Sequence, residues 1–349
     1  MGDAFRIGLT RDFLKPDGTI GMGDIRLGLL DGRPGIEWEF LAEDRPEIGP
    51  DQIRGYDALG VLGGRVTAAT LEGADRLAIV ARFGVGYDSV DVAACTTYGI
   101  ALTITPDGVR RPVASSVVAL MLALSHRVLE QDRATRAGEG WTRKLDLMGW
   151  GLTGKTLGLV GLGNIGSEVV KLARPFDLRI IASDPYVGAE RAADLGVQLV
   201  ELDSLLKTAD YVAVVCALTP ETRGLLGSER IALMKPTAFL INTARGPIVD
   251  QRALYEALRD RRIRGAALDV FEHEPVDPGE PLLQLENVIV TPHGVCWTDE
   301  CMGNMGQSVV QGILAVASGS NPPYVVNKDV LESPLFQEKL RRYARRLES

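Results

Sequence analysis

Apolar residues along this chain fall in short runs bounded by Gly, Pro and Asp, in two series. The first holds Phe5-Arg6-Ile7-Gly8-Leu9, Trp38-Glu39-Phe40-Leu41, and residues 58–62, 77–80 and 101–104. The second opens with Thr156-Leu157-Gly158-Leu159-Val160 and continues through 178–182, 212–215, 238–241, 266–270 and 288–290. Continuous apolar runs of this kind read as strands buried on both faces. After Val160, residues Ile165, Val169, Leu172, Ala173 and Phe176 share one face at helical spacing. Strand, helix, strand in repetition predicts parallel sheets covered by helices, an α/β fold of two domains. Two long helical stretches, about 113–130 and 300–317, join the series, and Gly319-Ser320-Asn321-Pro322-Pro323 ends the second. The first domain is therefore expected to be discontinuous, 1–112 plus 318–349, with 113–317 inserted in it. Near the C-terminus, Phe336, Leu340, Tyr343 and Leu347 recur at helical spacing, with Arg341, Arg342, Arg345 and Arg346 elsewhere on the helix. This predicts a docked helix with a solvated basic face.

Composition narrows the function classes. Hydrophobic residues make up 46% of the 349 and charged residues 24%, enough apolar material for two cores. No run reaches the ~18 uncharged apolar residues of a membrane span. No long apolar stretch follows Met1-Gly2-Asp3-Ala4-Phe5-Arg6, so no secretory signal is expected. A net charge of −8 argues against a broad nucleic-acid surface. Cys95, Cys216, Cys296 and Cys301 show no C-x-x-C spacing, so neither a metal site nor a disulfide framework is expected, and a reducing cytoplasm fits.

The candidate chemistry begins directly after the 156–160 run, at Gly161-Leu162-Gly163-Asn164-Ile165-Gly166. This G-x-G-x-x-G has an apolar strand before it and an amphipathic helix after it, the context a dinucleotide site requires. Gly161 permits the tight turn, Gly163 the approach of backbone to a pyrophosphate, and Gly166 close helix–strand packing. The helix N-terminus offers free N–H groups to the phosphates. Asp184 lies 18 residues beyond Gly166, where a carboxylate accepts ribose hydroxyls and repels a 2′-phosphate. Pro185-Tyr186-Val187 supply no arginine for that phosphate, so NAD is read over NADP.

The chain has three histidines. His126 lies on an apolar helical stretch and reads as a packed or capping residue. His293, in Thr291-Pro292-His293-Gly294, follows the last strand of the second series. Arg245 follows the 238–241 strand in Asn242-Thr243-Ala244-Arg245-Gly246, and Glu274 follows the 266–270 strand in Phe271-Glu272-His273-Glu274-Pro275. Three polar groups thus come after three strands of one sheet, on the edge where α/β sites form.

Those segments, with Phe83-Gly84-Val85-Gly86-Tyr87-Asp88-Ser89-Val90-Asp91 and Leu218-Thr219-Pro220-Glu221-Thr222, resemble the D-isomer-specific 2-hydroxyacid dehydrogenases through most of the chain. The resemblance implies a Rossmann-type doubly wound NAD domain inserted in a smaller flavodoxin-like α/β substrate domain. It implies Arg245, Glu274 and His293 as the catalytic set. Cofactor contacts are implied for Gly161, Gly163, Asn164, Ile165, Gly166, Asp184, Ala217, Thr222, Thr243, Ala244 and Asp269, with Thr243 and Asp269 near the nicotinamide carboxamide. Substrate contacts are implied for Val85 and Gly86 backbone and for Arg245. Arg65, Arg110 and Trp297 are candidates for the distal end of the substrate. A homodimer built on the 113–124 helix and the 141–150 region is also implied.

The chemistry agrees with that resemblance. Hydride leaves the carbinol carbon as a proton leaves its oxygen, and histidine suits the proton transfer near neutral pH. A carboxylate beside the ring favours its protonated form and holds it. Arginine binds a substrate carboxylate through a planar fork. The expected reaction interconverts a 2-hydroxy and a 2-keto acid. Two alternatives share much of this pattern: an NADH-sensing co-repressor-like interaction protein, and a formate- or phosphite-type dehydrogenase.

Overall fold

The computed structural model describes residues 4–347, the side chains of 346 and 347 excepted; Arg346 and Leu347 of the C-terminal pattern thus lie outside the described side chains. The chain divides into two compact units. The first runs to Val109 and resumes at Trp297, and the second is Arg110–Cys296. The second boundary precedes the helix expected to close the inserted domain. That helix, Asp299–Ala317, packs on a strand of the first unit, which draws it out of the second.

The first unit is a parallel sheet of β1 (Phe5–Leu9), β2 (Ile36–Phe40), β3 (Ala58–Val61), β4 (Ile79–Arg82) and β5 (Ala101–Thr103), in the order β2-β1-β3-β4-β5. This is the flavodoxin-like order. The sequence explains the positions. β3, Ala-Leu-Gly-Val, is buried throughout and sits centrally, whereas Glu37 and Glu39 alternate out of β2 at an edge. The opposite edge, β5, is closed by residues beyond 320: Thr103 pairs antiparallel with Val325, and buried Asn327 takes the Leu102 N–H and donates to Ile100 O, both at 2.9 Å.

The C-terminal helix Pro334–Leu347 docks on this unit through buried Phe336, Leu340 and Tyr343, while Arg341, Arg342 and Arg345 stay exposed. Its Lys339 is buried, a feature the apolar pattern did not indicate. The ammonium donates to Leu77 O, Tyr98 O and Gly99 O at 2.7, 2.8 and 3.3 Å. Burial, and then nearby Arg342, push it down to about 8 from its ordinary 10.5. Between those values the unfolded chain holds a proton that the folded chain has released, so stability rises with pH across that window. Urea unfolding of wild type and Lys339→Met at several pH values tests this. The wild type should gain up to about 1.4 kcal/mol per pH unit relative to the variant; parallel pH dependences would discard the assignment.

The second unit is a seven-stranded parallel sheet: β6 (Thr156–Val160), β7 (Arg179–Ser183), β8 (Gln198–Leu199), β9 (Tyr211–Val214), β10 (Phe239–Asn242), β11 (Gly265–Leu268) and β12 (Val288–Val290). Its order, β12-β11-β10-β9-β6-β7-β8, reverses between β6 and β9. A dinucleotide binds at such a switch point, outside the strands' carboxyl ends. Six of these strands, β6, β7 and β9 to β12, match the expected runs to within a few residues; the short β8 was not expected.

The helix expected over 113–130 instead spans Pro106–Ser125, and a separate helix, Val128–Arg136, follows. Proline at the first helical position suits the early start. The stop has a steric cause. Trp150 N–H donates to Ser125 O at 2.8 Å, and the adjoining Gly149 lies so close that a Cβ there would be 2.4 Å from the same oxygen. Arg127, at φ 52°, then breaks the direction. By length and composition Pro106–Ser125 is long and apolar enough to cross a membrane, although Asp107, Arg110 and Arg111 keep it from being an uncharged run. Within the protein 56% of its most apolar 18-residue window is buried, and Ala114, Val117, Leu120, Met121 and Leu124 belong to the core of the second unit.

Candidate active site

The glycine turn follows β6. Gly161 adopts φ 103°, and a Cβ there would stand 2.9 Å from Cys216 backbone. A Cβ on Gly166 would stand 2.5 Å from Gly161 O. These two glycines are demanded by the protein's own packing. Gly163 is different: a Cβ there meets no protein atom within 4 Å, and Asn164 beside it is exposed at the start of the helix Asn164–Ala173. Ile165 packs against the core. Asp184, after β7, folds the turn: Oδ2 accepts Leu162 N–H at 2.8 Å and Oδ1 accepts Tyr186 N–H at 2.9 Å. After β9, the Thr222 hydroxyl donates to Ala217 O at 2.7 Å and shapes that loop. Burial pushes the Cys216 thiol up to about 11, so it stays protonated near neutral pH.

The three polar candidates emerge after neighbouring strands β10, β11 and β12. After β10, buried Asn242 makes the turn: its Oδ1 accepts Ala244 N–H and its Nδ2 donates to Arg245 O, both at 3.0 Å. The Arg245 guanidinium, half-buried, donates to Ala244 O at 2.8 Å. Gly246 then lies against the segment after β11 so closely that a Cβ would be 1.9 Å from the Phe271 carbonyl. Glu274 accepts Phe271 N–H on Oε1 at 2.9 Å and meets His293 Nδ1 with Oε2 at 2.7 Å. Burial opposes ionisation of Glu274, but the His293 ring, the Phe271 N–H and the charge of Arg245 outweigh it and hold the carboxyl below its ordinary range. Glu272, its close neighbour in sequence, instead accepts Gln251 N–H at 3.1 Å.

His293 adopts φ 53°, a left-handed backbone uncommon outside glycine. Asp269 holds it there. His293 N–H donates to Asp269 O at 2.8 Å. The Asp269 carboxylate is buried, and Oδ1 takes the Thr291 hydroxyl at 2.6 Å and the N–H groups of Gly294 and Val295 at 3.0 and 3.1 Å. This bracing role, like that of Asn242, went unread in the sequence. The available signal was a single polar residue closing each of two wholly buried strands.

The remaining substrate candidates are divided between the two units. Arg110 sits at the Glu168 carboxylate, 4.0 Å away. Val85 and Gly86 belong to a loop of the first unit held by Thr105, whose hydroxyl accepts Gly84 N–H at 2.9 Å. Arg65 lies 4.0 Å from Glu47, and Trp297 is exposed, both also in the first unit. His126 is exposed beyond the end of its helix.

The family model for the D-isomer specific 2-hydroxyacid dehydrogenase NAD binding domain matches residues 118–294. The chain belongs to this family. The dehydrogenase is 39% identical over 306 residues, 86% of its own length and 92% of the relative's, to a glyoxylate reductase of Korarchaeum cryptofilum. It is 43% identical over 279 residues to a D-3-phosphoglycerate dehydrogenase of Methanocaldococcus jannaschii, spanning 79% of its own length but 53% of that protein. Among solved structures, D-lactate dehydrogenase from Aquifex aeolicus complexed with NAD and lactic acid superposes with a TM-score of 0.78 at 26% identity, covering 93% of this chain and 97% of that one. The enzyme is an NAD-dependent oxidoreductase of the 2-hydroxyacid class.

The residues present suit that cofactor. The open space at Gly163 leaves its lack of a side chain unexplained by packing and suits a pyrophosphate lying against the backbone. Thr243 Oγ1 is buried without a hydrogen-bond partner, next to Ala244 at the mouth of β10, as a hydroxyl reserved for a carboxamide would be.

Proposed function

We propose that this enzyme reduces a small 2-keto acid of the glyoxylate type to its 2-hydroxy acid, with His293 as acid–base catalyst, Glu274 as its partner and Arg245 as carboxylate ligand. The observation that carries the reading is the 2.7 Å contact of His293 Nδ1 with Glu274 Oε2, within the field of Arg245. A carboxylate only accepts, so Nδ1 carries the proton of that bond and Nε2 is the nitrogen left to exchange a proton with substrate. In reduction Nε2–H donates to the carbonyl oxygen as it becomes a hydroxyl, and Glu274 stabilises the charged ring that precedes the transfer. Arg245 holds the carboxylate by its fork and draws electron density from the adjacent carbonyl. NADH, when bound, would supply the hydride, and Asp184, Gly163 and Thr243 would hold its ribose, pyrophosphate and carboxamide.

The test is oxidation of NADH and of NADPH by purified protein with glyoxylate and larger 2-keto acids, in wild type and Asp184→Ala. Wild type should favour NADH, and the variant should lose most of that preference. Protein that binds NADH yet reduces no keto acid ends the proposal, and unchanged selectivity in the variant ends the ribose assignment.

A homodimer belongs to the same proposal. Trp141, Leu145 and Met148 of the second unit are 79, 84 and 77% exposed, an apolar group that a second copy would cover. A cytoplasmic location, and partners limited to small acids rather than nucleic acid or membrane, complete it; the net charge of −8 and the free cysteines support them.

A further inference from the structure

The part of the Pro106–Ser125 helix that belongs to the second unit touches two parts of the proposed site. Arg111 donates to Glu168 on the cofactor helix at 2.7 Å, and Lys171 reaches the same carboxylate at 3.2 Å. Further along, the buried Ser116 hydroxyl lies 2.9 Å from Pro112 O and 3.1 Å from Val295 O. Val295 is two residues past His293.

The hydroxyl has one proton and two acceptors, and they do not need it equally. Pro112 O, four residues back, also takes the helical N–H of Ser116 itself. Val295 O takes the hydroxyl from a helix residue 179 positions earlier in the chain, at 3.1 Å. A serine in a buried helix position costs helix propensity and desolvation relative to alanine, and the bond to Val295 offsets that cost. The turn is thus held from both sides. Asp269 takes its N–H groups, and Ser116 takes its last carbonyl. Between these anchors His293 keeps a left-handed backbone that the chain would otherwise leave.

We infer that Ser116 is a positioning residue for the acid–base step: its hydroxyl fixes the far end of the His293-Gly294-Val295 turn and so keeps the imidazole on the Glu274 carboxylate. The inference rests on the proposed role of His293. Ser116 touches neither substrate nor cofactor in this role, and acts through the turn alone.

The experiment compares Ser116→Ala, Ser116→Thr and His293→Asn in the full chain, with glyoxylate and NADH as probes. Ser116→Ala should lower kcat by about tenfold, since small misplacements of a catalytic group are costly. The NADH Kd, read by fluorescence, should stay within about twofold, because the cofactor helix is anchored separately through Arg111 and Glu168. Ser116→Thr keeps the donor and should restore kcat to within about twofold of wild type. In a Glu274→Gln background the alanine effect should shrink, because the ring has already lost the negative charge that its position serves. Wild-type kcat in Ser116→Ala, equal losses in the alanine and threonine variants, or full additivity with Glu274→Gln would each overturn the inference. If Ser116→Ala does not bind NADH, Ser116→Cys, close in volume and a weaker donor, replaces it; wild-type kcat there overturns the inference equally. The His293→Asn control separates the two claims. Normal turnover in it removes the acid–base reading itself, whereas a dead His293→Asn beside a fully active Ser116→Ala removes only the inference about Ser116.

Discussion

Replacing His293 by asparagine is expected to lower kcat by about 10²–10⁴-fold, the usual contribution of a positioned acid–base group. Asparagine is the informative substitution because His293 sits at φ 53°, where asparagine is tolerated and alanine adds strain. The turn should keep its form, since the bonds that set it run through main-chain N–H groups to Asp269. NADH affinity should therefore hold within about twofold, because the glycine turn and Asp184 lie after other strands of the sheet. Stopped-flow single turnovers with prebound NADH isolate the chemical step. A variant that reduces glyoxylate at the wild-type single-turnover rate leaves His293 without its proposed role.

The second large effect is expected from a single methyl group. In Gly246→Ala the new Cβ falls 1.9 Å from the Phe271 carbonyl and 2.4 Å from Glu272 N, and neither neighbour is a side chain that can swing aside. The backbone after β10 must move away from the backbone after β11. Arg245 precedes the substitution directly, and Glu274 is positioned by Phe271 N–H, so the displacement separates guanidinium from carboxylate. Overpacking of this kind costs about 1–3 kcal/mol, occasionally more. Folded variant should show kcat/KM reduced by about 100-fold or more, in line with misplaced catalytic groups. Thermal unfolding gives the stability loss and steady-state kinetics the catalytic one. If the alanine variant matches wild type in both, the close approach of these two segments is wrong.

The sequence carried the strands of both sheets because each is short, apolar and bounded by turn residues, and the buried central strands β6, β9 and β10 have the plainest pattern. It also carried the positions of Arg245, Glu274 and His293, because chemistry after a buried strand falls on one sheet edge. Helix ends were less legible. The stop at Ser125 depends on Gly149 and Trp150 coming back from later in the chain, a contact with no local signature. The same holds for Asp269 and Ser116. Each acts by tying one backbone segment to another, and hydrophobic patterning is silent about such ties. Arg110 shows the converse. A candidate for the distal end of the substrate, it lies on a helix 4.0 Å from an acid of the dinucleotide helix.

The discontinuity of the first unit has a consequence for synthesis. A ribosome delivers Arg110–Cys296 as one uninterrupted stretch, so the second unit has everything it needs to fold early. The first unit does not. Until Val325 and Asn327 emerge, β5 presents bare main-chain donors and acceptors to any passing nascent strand. The interval in which this polypeptide is most prone to wrong association therefore falls during translation, and it closes only when that late clasp arrives.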